Sequence, residues 1–139
     1  MKHDDCIFCK IANGEIPSAT LYEDEDFRVF LDLGPATRGH ALLVPKDHFA
    51  NLMELDDEHC EKAILLARKM AVRMKKVLKC DGLNLVQNNG EAAGQSVFHF
   101  HMHLIPRYNG DQAGITWKPG ELKDEVRDEI VAKVTAALK

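Results

Sequence analysis

The stretch VFHFHMHLIP, residues 97–106, alternates apolar and histidine side chains without a break from Phe98 to Leu104. On an extended strand, successive side chains point to opposite faces and residues two apart lie about 6.6 Å from each other. His99, His101 and His103 therefore share one face, while Phe98, Phe100, Met102 and Leu104 share the other. Helical winding would spread the same three histidines around the axis. The pattern calls for a sheet with one face in a core and the other face free for chemistry, on a strand ended by Pro106.

The rest of the chain supplies neighbours for this strand. TLYED and FRVFLDL read as two strands of a hairpin, parted by acidic turn residues. In the second run, Phe27, Val29, Leu31 and Leu33 alternate with Arg28, Phe30 and Asp32, which puts Phe30 and Asp32 together opposite the main apolar row. GPATRG is a loop, HALLVPK a third strand stopped by Pro45 with His40 at its mouth, and GLNLVQNN a fourth. Between Asp57 and Lys79, Cys60, Ala63, Ile64, Ala67, Met70, Ala71, Met74, Val77 and Leu78 recur at three- and four-residue steps, the mark of an amphipathic helix capped by Asp56 or Asp57. Leu122, Val126, Ile130, Val134 and Leu138 mark a terminal helix over about 121–138. This order predicts an α+β fold with a five-stranded, antiparallel sheet, one long helix and one C-terminal helix, rather than a parallel βαβ array. A length of 139 residues suits a single domain, 1–139.

Composition narrows the partners. Eighteen basic residues are dispersed among 22 acidic ones, for a net charge of −4, so no surface for coating nucleic acid is expected. No apolar run approaches the roughly 20 residues of a membrane span. The charged start MKHDDC does not resemble a secretory signal, and a cytoplasmic protein is expected. Four cysteines in such a chain read as free thiols rather than a disulfide scaffold.

Three readings compete for the histidine strand. Isolated histidines on a strand are usually solvated or hydrogen-bonded, but strict alternation of three argues for more. A three-histidine metal site is the second reading. The third is acid–base or nucleophilic work, in which a neutral imidazole attacks an electrophile such as phosphorus. The preceding loop, NNGEAAGQS, favours the third, because glycine-rich backbone, the Gln95 amide and the Ser96 hydroxyl can face an anion. Upstream, Cys6 and Cys9 form C-x-x-C, a spacing shared by zinc ligands, redox pairs and buried thiols.

HFHMHLI fits histidine, apolar, histidine, apolar, histidine, apolar, apolar, and so resembles the histidine triad (HIT) family of nucleotide hydrolases and transferases. CIFCKIANGEIPS, FLDLGPATRGHALLVPKDH and NNGEAAGQSVFHFHMHLIPR are similar to its Hint branch, especially the bacterial Hit-type members, from Cys6 to about Trp117. The resemblance implies cleavage of purine nucleoside monophosphate conjugates, often phosphoramidates, with His101 as the nucleophile that carries the nucleotidyl group. It implies that His103 contacts the phosphate together with Gln95 and the backbone from Gly94 to Ser96, that Ser96 helps protonate the leaving group, and that His40 lies against the triad. It further implies that Asp32 accepts from the ribose hydroxyls, that Asn88 lies near ribose and phosphate, and that Ile7, Phe8, Phe30 and Leu33 line the base slot. The loop from Tyr108 to Gly120, with Trp117, is expected on the leaving-group side.

The Hit-type relatives complete the C-x-x-C pair with two histidines that correspond to His48 and His99. The resemblance thus implies one structural zinc per chain, held by Cys6, Cys9, His48 and His99, within an N-terminal knuckle spanning 1–17. A closed Cys2His2 shell leaves no place for a reacting water. Cys60 and Cys80 are left to helix packing, and His3 and His59 to solvent. A homodimer joined through the long helix and a sheet edge is implied as well. A nucleotide-binding scaffold with incidental hydrolysis is the alternative reading.

Overall fold

The computed structural model describes residues 2–139. Five strands, β1 (Thr20–Glu23), β2 (Phe27–Leu31), β3 (Ala41–Pro45), β4 (Gly82–Val86) and β5 (Met102–Arg107), form one sheet in the order β1-β2-β3-β5-β4. Every neighbouring pair is antiparallel, as the sequence predicts. Three helices, α1 (Ile7–Ala12), α2 (Asp57–Leu78) and α3 (Asp124–Ala137), and two single 3-10 turns complete the chain. The β1–β2 turn closes on Asp24, whose carboxylate accepts from the backbone N–H of Asp26 and of Phe27, each at 2.8 Å.

Period-two alternation splits the apolar residues between two layers. Phe27, Val29, Ala41, Leu43, Phe100 and Leu104 pack under α2, whereas Phe30, Leu42 and Val44 pack with Phe8 and Ala12 of α1. Both faces of β3 are thereby covered, and all five of its residues are buried. Helix α2 starts at the cap Asp56, which accepts from the His59 N–H at 2.8 Å. Its buried stripe is Ala63, Leu66, Ala67, Met70 and Met74. The predicted stripe is rotated relative to this one. Ile64 and Val77 are 51% and 76% exposed, since Leu66 takes the inward position and alanine methyls at 63 and 67 bring the helix against the sheet.

The histidine strand is shorter than predicted. Pairing with β3 covers only Met102 to Leu104, and residues 97–101 approach it without a ladder. The Phe100 N–H instead donates to Phe49 O at 2.6 Å. Phe98, expected in the core, is consequently 51% exposed, while Phe100 is fully buried. Pro106 does not end β5; it lies inside it, beyond the β3 ladder, where a missing N–H is tolerated.

Two contacts place the site. Gly39 has φ +92°, and a Cβ there would lie 2.5 Å from Leu78 Cδ1, so only glycine lets the chain pass the end of α2 just ahead of His40. The Asp32 N–H then donates to His40 O at 3.0 Å, tying the end of β2 to the mouth of β3. Helix α3 stands apart: all its residues are exposed, Val126, Ile130 and Val134 among them. No helix is long and apolar enough to cross a membrane among the described residues.

Candidate active site

Backbone acceptors and donors fix the proton on each ring of the triad. The His101 Nδ1 lies 2.8 Å from His99 O, a carbonyl that can only accept, so Nδ1 carries the proton and the Nε2 lone pair is free. His99 has the opposite tautomer. Its Nε2 donates to Pro45 O at 2.8 Å, which leaves Nδ1 as the lone-pair nitrogen. His40 accepts at Nδ1 from the Ala36 N–H at 2.9 Å, so its Nε2–H points at His103 Nδ1, 2.9 Å away. His103 in turn must carry its proton on Nε2. The triad therefore presents one nucleophilic nitrogen and one N–H donor, with rings 5.0 Å apart.

Burial holds these rings neutral. It pushes His103 down to about 4, with the neighbouring His101 and His40 rings adding to the effect. His40 and His101 are also lowered by burial, opposed in part by Asp32 and, for His101, by its backbone hydrogen bond. Asp32 stands beside them, its Oδ2 3.6 Å from His40 Nε2 and its Oδ1 accepting from the Gly34 N–H at 2.8 Å.

The fourth histidine partner set lies on the other side of His99. Its Nδ1 is 3.3 Å from Cys6 Sγ and 3.4 Å from Cys9 Sγ, and Cys9 Sγ is 3.4 Å from His48 Nδ1. In a tetrahedral zinc shell with Zn–S about 2.3 Å and Zn–N about 2.05 Å, sulfur and nitrogen stand about 3.5 Å apart. The four donor atoms all lie within 4.8 Å of one another, so residues from α1, the β3 exit and the triad fit one tetrahedral ion. The Cys9 N–H donates to Cys6 Sγ at 3.3 Å and the His3 N–H to Cys9 Sγ at 3.4 Å, while burial pushes the Cys9 thiol up.

A cavity of about 460 Å³ adjoins the triad. Ile7, Phe8, Phe30, Leu33, Asp32, Ser96, His101 and His103 all line it, which brings together most of the residues singled out in the sequence. Leu33 does so from the rim, at 97% exposure. His40 is absent from the lining and backs His103 instead. Asn88 and Gly94 also lie outside it, against each other: a Cβ on Gly94 would be 3.7 Å from Asn88 Nδ2, and Gly94 has φ +94°. Gln95 differs from expectation. Its amide nitrogen donates to Ala50 O and Val97 O and its oxygen accepts from the Gly90 N–H, so the side chain knits the loop, and its backbone N–H is engaged as well, by Gly90 O at 3.1 Å.

Of the two histidines left to solvent, His3 is exposed as expected and His59 is not. His3 stacks on His48 with centroids 3.8 Å apart. His59 is wedged against Phe27 and Phe49 and bonds Asp56 at 2.8 Å. Arg107 clamps the turn after β5 through Asp111, Asn84 and Ala113 O. Ile11, Ile16 and Pro17, which also line the cavity, carry no pattern that sequence periodicity could single out.

The HIT domain model matches residues 13–110. The chain belongs to the HIT family. A HIT relative from Schizosaccharomyces pombe, named adenosine 5'-monophosphoramidase hnt1, is 39% identical over 135 residues, 93% of this chain and 98% of its own length. The crystal structure of SMU.412c from Streptococcus mutans UA159 superposes with a TM-score of 0.93 at 38% identity, covering 99% of this chain and 88% of that one. A zinc-bound histidine triad protein from Mycobacterium smegmatis matches at TM-score 0.75 and 35% identity, over 96% of this chain and 97% of its own. HIT membership gives meaning to the division of the triad seen above: His99 faces the sulfurs, His101 and His103 face the cavity.

Proposed function

We propose that this HIT protein hydrolyses purine nucleoside phosphoramidates or related nucleotidyl conjugates through a nucleotidyl-histidine intermediate. The observation that carries the reading is the His101 tautomer, with its proton held on Nδ1 by His99 O and its Nε2 lone pair open to the cavity. His101 Nε2 bonds to phosphorus as the phosphorus–nitrogen bond to the leaving amine breaks. The amine takes up a proton drawn from solvent through the Ser96 hydroxyl, and the water that attacks in the second step returns one to solvent. Water then attacks phosphorus, the bond to His101 breaks, and the nucleoside monophosphate leaves with the water oxygen. His103 donates from Nε2 to the phosphate oxygens, and His40 holds its tautomer. The Ser96 N–H steadies the same charge, while the Gly94 and Gln95 N–H groups, held by Glu91 O and Gly90 O, shape the loop that presents it, with Asn88 packed behind Gly94. The base lies between Ile7, Phe8, Phe30 and Leu33. Release of AMP from adenosine 5'-phosphoramidate tests the reading; binding without turnover would favour a nucleotide-binding scaffold.

Asp32 accepts from the two ribose hydroxyls. Asp32→Asn should lower kcat/KM for ribose substrates by about tenfold, the scale of a charged hydrogen bond, and alter it far less for the 2'-deoxy analogue. An equal loss on both contradicts the role.

The His40–His103 relay works with both rings neutral. Because burial lowers both groups, His103 to about 4, kcat/KM should hold level from pH 8 to below the ordinary histidine value of 6.5 and fall only under it. The same sign applies to stability. Rings with depressed values support the fold above 6.5 and oppose it progressively as pH falls toward 4. A kcat/KM that halves near pH 7 would contradict a neutral relay.

Cys6, Cys9, His48 and His99 hold one zinc per chain in a structural role, stapling α1 to the sheet. The protein acts as a homodimer, in keeping with apolar surface that one chain leaves uncovered on α2 and α3: Ile64, Leu65, Ile130 and Val134 are each 51–54% exposed. Sedimentation at micromolar concentration should give twice the chain mass of 15.6 kDa, and a monomer contradicts this.

A further inference from the structure

A second cavity, about 420 Å³ in volume, also reaches Ser96 but has no triad histidine in its wall. It shares Ile7, Ser96 and Val97 with the first, so the two abut along these residues. Its remaining wall is the Cys6–His48 side of the metal knuckle together with His3, Asp5 and Phe98. Phe98 is the residue that strand alternation would have buried. Freed from the ladder, it stands 51% exposed, and Ile7 is 47% exposed. Two large apolar faces thus border a hollow whose single carboxylate is Asp5, among the described residues. Trp117, 84% exposed, lines neither cavity.

We propose that this second cavity is the leaving-group subsite, and that it takes a primary amine with an apolar stem ending in a positive charge. The inference rests on the phosphoramidase reading above, which puts the departing amine at Ser96. From there the first cavity leads to His101 and the base slot, and the second offers room for whatever the amine carries. The stem lies along Ile7, Val97 and Phe98, where leaving water stabilises it. The cationic end meets the Asp5 carboxylate at the solvent edge, where the attraction is modest.

The test uses adenosine 5'-phosphoramidates with ammonia, n-pentylamine or 1,5-diaminopentane as leaving groups, and compares ratios within each variant. Phe98→Ala should lower the kcat/KM ratio of the pentylamine to the ammonia substrate by about fivefold relative to wild type. Asp5→Asn should lower the ratio of diamine to pentylamine by about threefold and leave the pentylamine-to-ammonia ratio alone. A binding arm is independent of turnover. In His101→Ala protein, the n-pentyl ester of AMP should bind more tightly than AMP, and adding Phe98→Ala should abolish that advantage. Ratios and affinities unmoved by both substitutions overturn the subsite while leaving the hydrolase reading intact. Failure of every phosphoramidate to react overturns the hydrolase reading, and the ester affinities still decide whether the cavity takes the stem.

Discussion

Replacing His101 with alanine should reduce phosphoramidate turnover by about 10⁶-fold, the scale seen when a catalytic triad loses its nucleophile. Affinity for AMP should stay within a fewfold of wild type. The contrast follows from geometry. His101 is the one ring of the triad whose free lone pair faces the cavity, and no neighbour can replace it: His99 turns its lone pair to the sulfurs, and His103 Nδ1 accepts from His40. On the proposed reading the binding contacts belong to other residues, namely Asp32, the Ser96 backbone and the apolar slot. Loss of the buried ring, which packs on Phe8 and pairs with His99 O, costs about 1–3 kcal/mol of stability, and the melting transition of the variant checks that the domain still folds. Turnover within tenfold of wild type would remove the nucleophile assignment.

The second large effect concerns the metal. Stripping zinc with a chelator should lower the melting temperature by about 15 °C, because an ion present at a thousand times its dissociation constant contributes about 4 kcal/mol, and each kcal/mol corresponds to roughly 4 °C at this chain length. The sign follows from where the ligands lie. Cys6 and Cys9 belong to α1 and its cap, His48 follows β3, and His99 precedes β5, so one ion would cross-link three segments distant in sequence. His99 is fully buried, and without the ion two thiols and two imidazoles would crowd one another there. A Cys6→Ser, Cys9→Ser double variant should melt at the lower temperature with or without chelator. A wild-type protein that purifies with less than about a tenth of an equivalent of zinc, and melts unchanged after chelation, would contradict the structural ion.

Much of this was readable from residue order. Period-two alternation in residues 27–32 put Phe30 and Asp32 on a common face, and the structure places both in the cavity wall. Antiparallel order followed from short connections. The C-x-x-C spacing left redox, metal and buried-thiol readings open, and only the approach of His48 and His99 to the sulfurs separates them. Three-dimensional competition erased other signals. Alternation at 97–100 predicts strand, yet Phe100 bonds Phe49 and the ladder begins at Met102, which turns Phe98 outward. Gln95 looked like an anion donor because its type suits one, but three loop groups claim its amide. The proton positions on His40 and His103 hinge on the Ala36 N–H, which no sequence pattern marks.

The stereochemical course at phosphorus tests the double displacement most directly. A phosphoramidate made chiral at phosphorus with sulfur and hydrolysed in isotopically labelled water should give product with retained configuration, since attack by His101 and then by water each invert the centre. Net inversion would mean that water displaces the amine in a single step, and would contradict the covalent role assigned to His101.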